Sequence, residues 1–472
     1  MDLAHLSTWW TIGSLVWAAY LLVLAVWIVL QKRSPFATLA WLFALAALPV
    51  LGFVVYFFLG PQKIKRQRLR RQRLRQQSRC EASAAPELEA GLRRRKQRLS
   101  RLVEKATGAP LASAERIDLL VDGKATFAAL LQAIATARQH VHLEYYIFEP
   151  DDVGQKVIQA LCDAVERGVQ VRLLVDAVGS PRMRGRRLRA LRRAGLEVAR
   201  FHPFRLATLR PLLNLRCHRK IAVIDGVIGF TGGINISAEQ SGSSATEGWH
   251  DLHLRVQGPV VGWLQGVFAE DWLYATRRPL PEKDLYPPLA AGQLSAQVVA
   301  SGPDSDAEAI HRCYLQAISD ARQRVWLVTP YFSPGEAALY ALSNAALRGV
   351  DVRLLLPQRS DSRIVSACAR SYYDELLARG VKIYQYPARM LHAKAMLVDD
   401  DCALVGSANF DLRSFRLNFE IALLVYEPNF VRDLSAQLSA DFEASDRQHL
   451  PRRLSHWDRL AEAGARLLSP IL

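Results

Sequence analysis

One phrase, His-x-Lys followed five residues later by Asp, occurs twice in this chain, as His218, Lys220, Asp225 and as His392, Lys394, Asp399. Each copy is trailed, at one offset from its Asp, by small residues and an Asn: Gly232-Gly233-Ile234-Asn235 and Gly406-Ser407-Ala408-Asn409. The surroundings repeat as well. Ala137-Arg138-Gln139-His140-Val141-His142-Leu143 matches Ala321-Arg322-Gln323-Arg324-Val325-Trp326-Leu327, and Arg167-Gly168-Val169-Gln170-Val171-Arg172 matches Arg348-Gly349-Val350-Asp351-Val352-Arg353, in the same order. Such a chain is a duplication that builds two similar halves. Each half reads helix, strand, helix, strand: an amphipathic stretch over Phe127 to Arg138, an apolar strand near Val141 to Phe148, a helix near Val153 to Arg167, then a strand over Val169 to Val175. That alternation implies α/β halves with mixed or parallel sheets covered by helices. Pro279, Pro281, Pro287 and Pro288 mark the seam, which puts the first half at 114–280 and the second at 281–472.

Ahead of the duplication the chain is of another kind. No charge interrupts Trp9 to Leu30 or Phe36 to Leu59, and each run is long enough to cross a hydrocarbon core of about 30 Å. The short Gln31-Lys32-Arg33-Ser34-Pro35 between them makes residues 1–60 a transmembrane hairpin with spans at about 9–30 and 36–59. A cleaved leader is the competing reading, but Met1 to Thr8 holds no Lys or Arg. Lys63, Lys65, Arg66, Arg68, Arg70, Arg71, Arg73, Arg75 and Arg79 follow, more than half of the net charge of +16. The positive-inside rule then puts the body in the cytoplasm. Such a cluster also attracts an anionic leaflet; a topology signal or a solvated helix explains it equally well. Residues 61–113 as a whole read as basic linker helices.

Spacing indicates what the doubled phrase does. Residues two apart on a strand share a face, so His218 projects with Lys220 and His392 with Lys394. Imidazole attacks or shuttles protons near neutral pH, while an ammonium and an Asn amide hold phosphate oxygens. Two facing half-sites supply one nucleophile and one general acid, enough for phosphodiester exchange without metal or cofactor. The six cysteines, Cys80, Cys162, Cys217, Cys313, Cys368 and Cys402, have no metal-ligand spacing. Cys217 adjoins His218 but points to the other face, as a packing residue. Asp225 and Asp399, counted with the catalytic set, sit at strand ends before a turn, where an Asp commonly fixes backbone instead.

The doubled motif resembles the phospholipase D superfamily. Glu144-Tyr145-Tyr146-Ile147-Phe148, Phe230-Thr231-Gly232-Gly233-Ile234-Asn235, Thr329-Pro330-Tyr331-Phe332 and the run from Gly406 to Phe415 are similar to phrases of its bacterial cardiolipin synthase branch, and the resemblance covers nearly the whole chain. It implies halves related by a pseudo-twofold axis that share one site. His218 would be nucleophile and His392 acid/base, or the reverse. Lys220, Lys394, Asn235 and Asn409, with Gly232, Gly233, Gly406 and Ser407, would hold the phosphoryl group. Gly233 faces Ser407 in the alignment of the two copies, so a hydroxyl contact to phosphate would exist on one side only. Asp251 and Glu420 would orient the imidazoles. The implied reaction joins two phosphatidylglycerol molecules into cardiolipin and glycerol at a bacterial inner membrane. Its partners would be anionic phospholipids and not nucleic acid. A hydrolytic phospholipase D and a membrane-tethered nuclease of the superfamily are the alternatives. Arg182 to Arg193 and Phe201 to Leu215 are further stretches that could meet lipid; a solvated face explains the first equally well.

Overall fold

The structure, a computed structural model, describes residues 3–30, 35–48, 51–52, 92–203, 214–242, 248–281, 285–305 and 307–470. The N-terminal helices and the α/β body fall into separate compact units. In the first unit a helix spans Leu3–Val29, and its segment Ile12–Val29, with mean hydropathy 2.3, is long and apolar enough to cross a membrane. With no charge and no proline in that run, its backbone polar groups can be satisfied within the helix. A second apolar helix, Pro35–Ala47, packs Leu45 against Leu24 and Ile28. Residues 49–50 and 53–59 of the expected second span, and the basic residues 63–79, lie outside the described residues.

In the body, β1 (Ala112–Ala114) and β2 (Arg116–Val121) lead into β3 (His140–Tyr145), β4 (Gln170–Asp176), β5 (Glu197–Phe201), β6 (Ile221–Ile224), β7 (Ile228–Gly232) and β8 (Leu252–Gln257). The second half follows with β9 (Leu294–Ser301), β10 (Arg324–Val328), β11 (Phe332–Ser333), β12 (Asp351–Pro357), β13 (Lys382–Tyr386), β14 (Ala395–Val398), β15 (Cys402–Gly406), β16 (Phe410–Asp411), β17 (Glu420–Val425) and β18 (Asp446–Arg447). One sheet has the order β2-β8-β7-β6-β3-β4-β5, the other β1-β9-β17-β15-β14-β10-β12-β13-β18, and β11 pairs with β16 alone. The run β8-β7-β6-β3-β4-β5 is repeated as β17-β15-β14-β10-β12-β13 with the same parallel or antiparallel sense at every step. Both sheets are therefore mixed, as the alternating pattern predicts.

Three apolar clusters build the layers. Val141, Leu143, Val171 and Leu173 pack with Leu130, Val157 and Leu161 of the covering helices in the first half. Val325, Leu327, Val352 and Leu354 do so with Ile310, Leu342 and Leu376 in the second. Between the sheets lies a shared core in which Val223, Leu254, Val298, Leu397, Val405 and Leu423 meet the helices Val260–Thr276 and Pro428–Glu443. Truncating Phe268 there, at 0 % exposure, would remove about 3–5 kcal/mol.

Two expectations change. Residues 94–113, assigned to a linker, pack with the second half. Leu99 and Val103, one turn apart on the helix Arg94–Thr107, are buried in that half's cluster, and β1 pairs with β9. The His-x-Lys phrases are not inside strands: β6 and β14 begin one residue after Lys220 and Lys394. In the Arg-rich stretch, the helix Arg186–Arg193 buries Leu188 and Leu191. Residues 204–213 lie outside the described residues.

Candidate active site

The extended segments ahead of β6 and β14 cross from one half to the other. The His218 N–H donates to the Phe419 carbonyl at 2.9 Å, and the Phe419 N–H to the Arg216 carbonyl at 2.8 Å. Correspondingly, the His392 N–H donates to the His250 carbonyl at 2.7 Å, and the His250 N–H to the Met390 carbonyl at 2.8 Å. These seams set each imidazole against an acid of the opposite half. Nδ1 of His218 lies 3.0 Å from a Glu420 carboxylate oxygen, and Nδ1 of His392 lies 2.6 Å from one of Asp251. Burial presses both acids upward. Lys394 and His392 beside Asp251, and His218 and Lys220 beside Glu420, hold them net below the usual carboxylate range. An ionised carboxylate only accepts, so each Nδ1 carries the hydrogen and each Nε2 keeps its lone pair.

The lysines complete the cluster. Lys220 donates to the carbonyl of His218 at 2.7 Å, Lys394 donates to that of His392, and Lys394 lies 3.8 Å from Asp251. Burial lowers Lys220 to about 7 against the pull of Glu420, and Lys394 to about 8 against Asp251. Burial also lowers both imidazoles. His392 falls to about 4 with Lys394 adding to the effect, while Glu420 opposes the shift at His218. Each lysine acts on the far ring too, Lys394 on His218 and Lys220 on His392. All four groups thus lie within electrostatic reach of one another.

The two half-sites are not copies in detail. Tyr146 meets the His218 ring edge-on at 4.9 Å, while Trp249 lies 5.0 Å from the ring of His392. Glu420 accepts from the Ser407 hydroxyl and from the Asn418 amide at 3.1 Å. Asp251 accepts from the Leu252 N–H at 2.8 Å. A Cβ on Gly233 would stand 2.1 Å from the Asp251 carboxylate, so glycine is required where the shorter acid comes in.

Several expected site residues are placed elsewhere in the chemistry. Asp225 and Asp399, grouped with the catalytic residues, cap backbone. Asp225 accepts from the N–H groups of Arg138, Gln139 and His140, and Asp399 from those of Arg322, Gln323 and Arg324. Both stand in the left-handed region, at φ 55° and 52°, which Asp tolerates in the turns closing β6 and β14. A four-residue strand separates each from its lysine. Gly232 and Gly406 end β7 and β15, where a side chain would strike β8 or β17. The Ser407 hydroxyl, expected at phosphate, is committed to Glu420. Asn235 and Asn409 are buried. Asn235 accepts from the Ile147 N–H at 3.1 Å, and the Asn409 side-chain oxygen has no hydrogen-bond partner among the described residues.

Sequence reasoning did not single out Tyr146, Trp249, Gln240 or His250. The Gln240 amide reaches Nδ1 of His392 at 3.3 Å. His250 is held at both nitrogens, by Asp122 at 2.7 Å and Asp441 at 3.0 Å. Burial disfavours its charge, but the two carboxylates raise it to about 9. The available signals were positional: Tyr146 lies in the Glu144-to-Phe148 phrase that carries the resemblance, and Trp249 and His250 stand directly ahead of Asp251. Glu144, Cys217 and Asp271 also converge, unforeseen, within 4.8 Å. Cys217 donates to Glu144 at 2.7 Å and Arg219 is bound to Asp271. Burial pushes Glu144 and Cys217 well up; this is a polar knot beside His218.

Two sheets of one topology, with paired histidines and lysines at their seam, define a phospholipase D-like protein. The family description "Cardiolipin synthase, PLD-like domain" matches residues 130–272 and 314–444, and "Phospholipase D-nuclease N-terminal" matches 20–61. The phosphatidylserine synthase of Haemophilus influenzae shares the fold, with TM-score 0.60 over 79% of this chain and 100% of that one at 14% identity. Cardiolipin synthase 1 of Bacillus anthracis is 37% identical over 100% of this chain and 96% of its own length. The cardiolipin synthase of Alkalihalophilus pseudofirmus is 38% identical over 98% and 95%. The chain belongs to the bacterial cardiolipin synthase family of the phospholipase D superfamily.

Proposed function

We propose that this chain is a membrane-anchored phosphatidyltransferase that converts two phosphatidylglycerol molecules into cardiolipin and glycerol through a phosphohistidine. The observation that carries the reading is the pair of crossed bonds, His218 to Glu420 and His392 to Asp251, with two buried lysines between them. Family membership supplies the substrate class.

Nε2 of His218 attacks phosphorus. The bond from phosphorus to the glycerol oxygen breaks, and His392 protonates that oxygen as it leaves. The now neutral His392 then takes the proton of a hydroxyl on the second phosphatidylglycerol, whose oxygen displaces His218 from phosphorus. Lys220 and Lys394 neutralise the phosphoryl oxygens in a site largely closed to water, where charge acts strongly. Asn235 and Asn409 flank them, and the orphaned oxygen of Asn409 faces a substrate donor. Glu420 and Asp251 fix the tautomers and stabilise each imidazolium as it forms. In the empty site both rings are largely neutral at pH 7. The phosphodiester anion raises their proton affinity when it binds, which readies the acid. A second reading exchanges the two histidines: His392, held near 4, is the ring more firmly kept as a free base.

The remaining elements of the reading are a two-helix membrane hairpin, a cytoplasmic body at the inner membrane, and a pseudo-twofold relation between the halves. Repetition of strand order and pairing sense supports the last. Purified protein given phosphatidylglycerol in detergent should form cardiolipin and glycerol in equal amounts. Phosphatidic acid as the main product, without cardiolipin, would reject transfer in favour of hydrolysis.

A further inference from the structure

The last helix of the body, His456–Leu467, is built inside out. Its start is fixed by a capping box between Ser455 and Asp458. At 100° per residue, Trp457, Leu460, Ala461, Gly464, Leu467 and Leu468 fall on one arc. That arc faces away from the protein: Trp457 is 79 %, Leu460 62 % and Leu467 82 % exposed. The polar groups point inward instead. Glu462 is buried between Arg452 at 2.7 Å and Arg370 at 3.3 Å. Arg466 pairs with Glu375 at 3.2 Å and lies 4.3 Å above the Tyr372 ring. Ser469 is buried against Ser333 and lies 3.0 Å from the Tyr372 hydroxyl. A helix docked by ion pairs that leaves a Trp and three Leu in water has its apolar face free for a partner.

Two observations say which partner. From residue 453 to 467 the exposed cations Arg453, Arg459 and Arg466 outnumber the single exposed acid Asp458, a balance that suits an anionic lipid interface. The helix is also tied to the border of the site. Ser333 follows Tyr331 by two residues, Tyr331 donates to Asp361 at 2.7 Å, and Asp361 is close enough to act on Lys394. We infer that His456–Leu467 is an interfacial helix. It beds Trp457, Leu460 and Leu467 in the acyl region of an anionic phospholipid bilayer and holds the rim of the site at headgroup level. This rests on the phosphatidyltransfer reading for the partner's chemistry, and on the helix for the contact.

The test uses the full chain with Cys80→Ser and Cys162→Ser, so that spin labels go to single introduced sites. Leu460→Cys, Leu467→Cys and Arg459→Cys are labelled separately and reconstituted in vesicles of phosphatidylglycerol and phosphatidylethanolamine. Labels at 460 and 467 should relax with oxygen and be shielded from an aqueous nickel complex, while the label at 459 stays open to nickel. Equal nickel access at all three overturns the inference. So does spin–spin broadening at 460 that vanishes on dilution with unlabelled protein, which would assign the face to a second copy. In parallel, the triple variant Trp457→Ser, Leu460→Ser, Leu467→Ser should lose activity several-fold on vesicles. It should keep its rate with short-chain phosphatidylglycerol dissolved as monomers, and equal loss in both assays overturns the inference. Labels at 460 and 467 that enter the bilayer, while the unlabelled wild-type chain forms no cardiolipin, would leave the helix assignment standing and remove the reaction.

Discussion

The half-site around His218 and the half-site around His392 share a backbone plan and differ in how their acids are held. Glu420 and Asp251 occupy matching places, two residues ahead of Ala422 and His253, the partners of Gly406 and Gly232. Glu420 is longer and is steadied by Ser407 and Asn418. Asp251 is shorter, is given room by Gly233, and sits close to Lys394. Burial lowers both imidazoles, with Glu420 the strongest opposing group at His218 and Lys394 reinforcing burial to bring His392 to about 4. The comparison teaches that duplicated sites can split their duties through the support behind the reactive ring while the ring itself stays the same.

The strongest way to break the comparison is to remove the rings. His218→Ala and His392→Ala should each lower turnover by about 10²–10⁴-fold, and the double variant should be scarcely worse than either single one. Near-normal cardiolipin formation in either single variant, measured by thin-layer separation of labelled lipid, would end the one-site account. Mapping the labelled phosphohistidine by mass spectrometry then sharpens it: an adduct on His392 exchanges the roles.

Next come the acids. Asp251→Asn and Glu420→Gln should each slow turnover about 10³-fold by losing the tautomer lock. Asp251→Asn should be the more severe, since it also strips Lys394 of its nearest carboxylate. Equal rates for the two variants would show that the support is symmetric after all. A smaller contrast lies at the matched pair behind the acids. Gly233→Ala pushes the Asp251 carboxylate aside and should slow turnover about 10²-fold. Ser407→Ala removes one hydrogen bond and should slow it about tenfold or less.

The mildest test is pH. A lysine lowered to about 7 or 8 sheds its charge early as pH rises, so kcat/KM should fall several-fold between about pH 7 and about pH 9. An imidazole lowered by burial stays neutral further into acid, so the acid limb should lie below the ordinary value of 6.5. A profile flat to about pH 9 would show that the lysines keep their charge.

The doubled phrase was legible because it repeats within the sequence itself, and the α/β alternation of each half because apolar periodicity is local. The acids at 251 and 420 were reached through resemblance, not through spacing. Their bonds join residues 141 and 202 apart, and no local pattern encodes which half an acid serves. The aspartates of the phrase had two readings, catalytic and backbone-fixing, and their contacts favour the second. Proximity in sequence put Asp225 and Asp399 with the chemistry, but a short strand carries each to the far end, where three backbone N–H groups claim it. Ser407 was misjudged because a hydroxyl near a phosphate site reads as a ligand, and only the position of Glu420 reveals its other partner.

Because His218 and His392 each lean on an acid supplied from across the seam, the paired arrangement belongs to neither repeat alone. An ancestral single copy would have presented an imidazole without its counterweight, and could have worked only by clasping a twin. Fusion made that embrace permanent, and it freed the two arms to diverge wherever they do not touch.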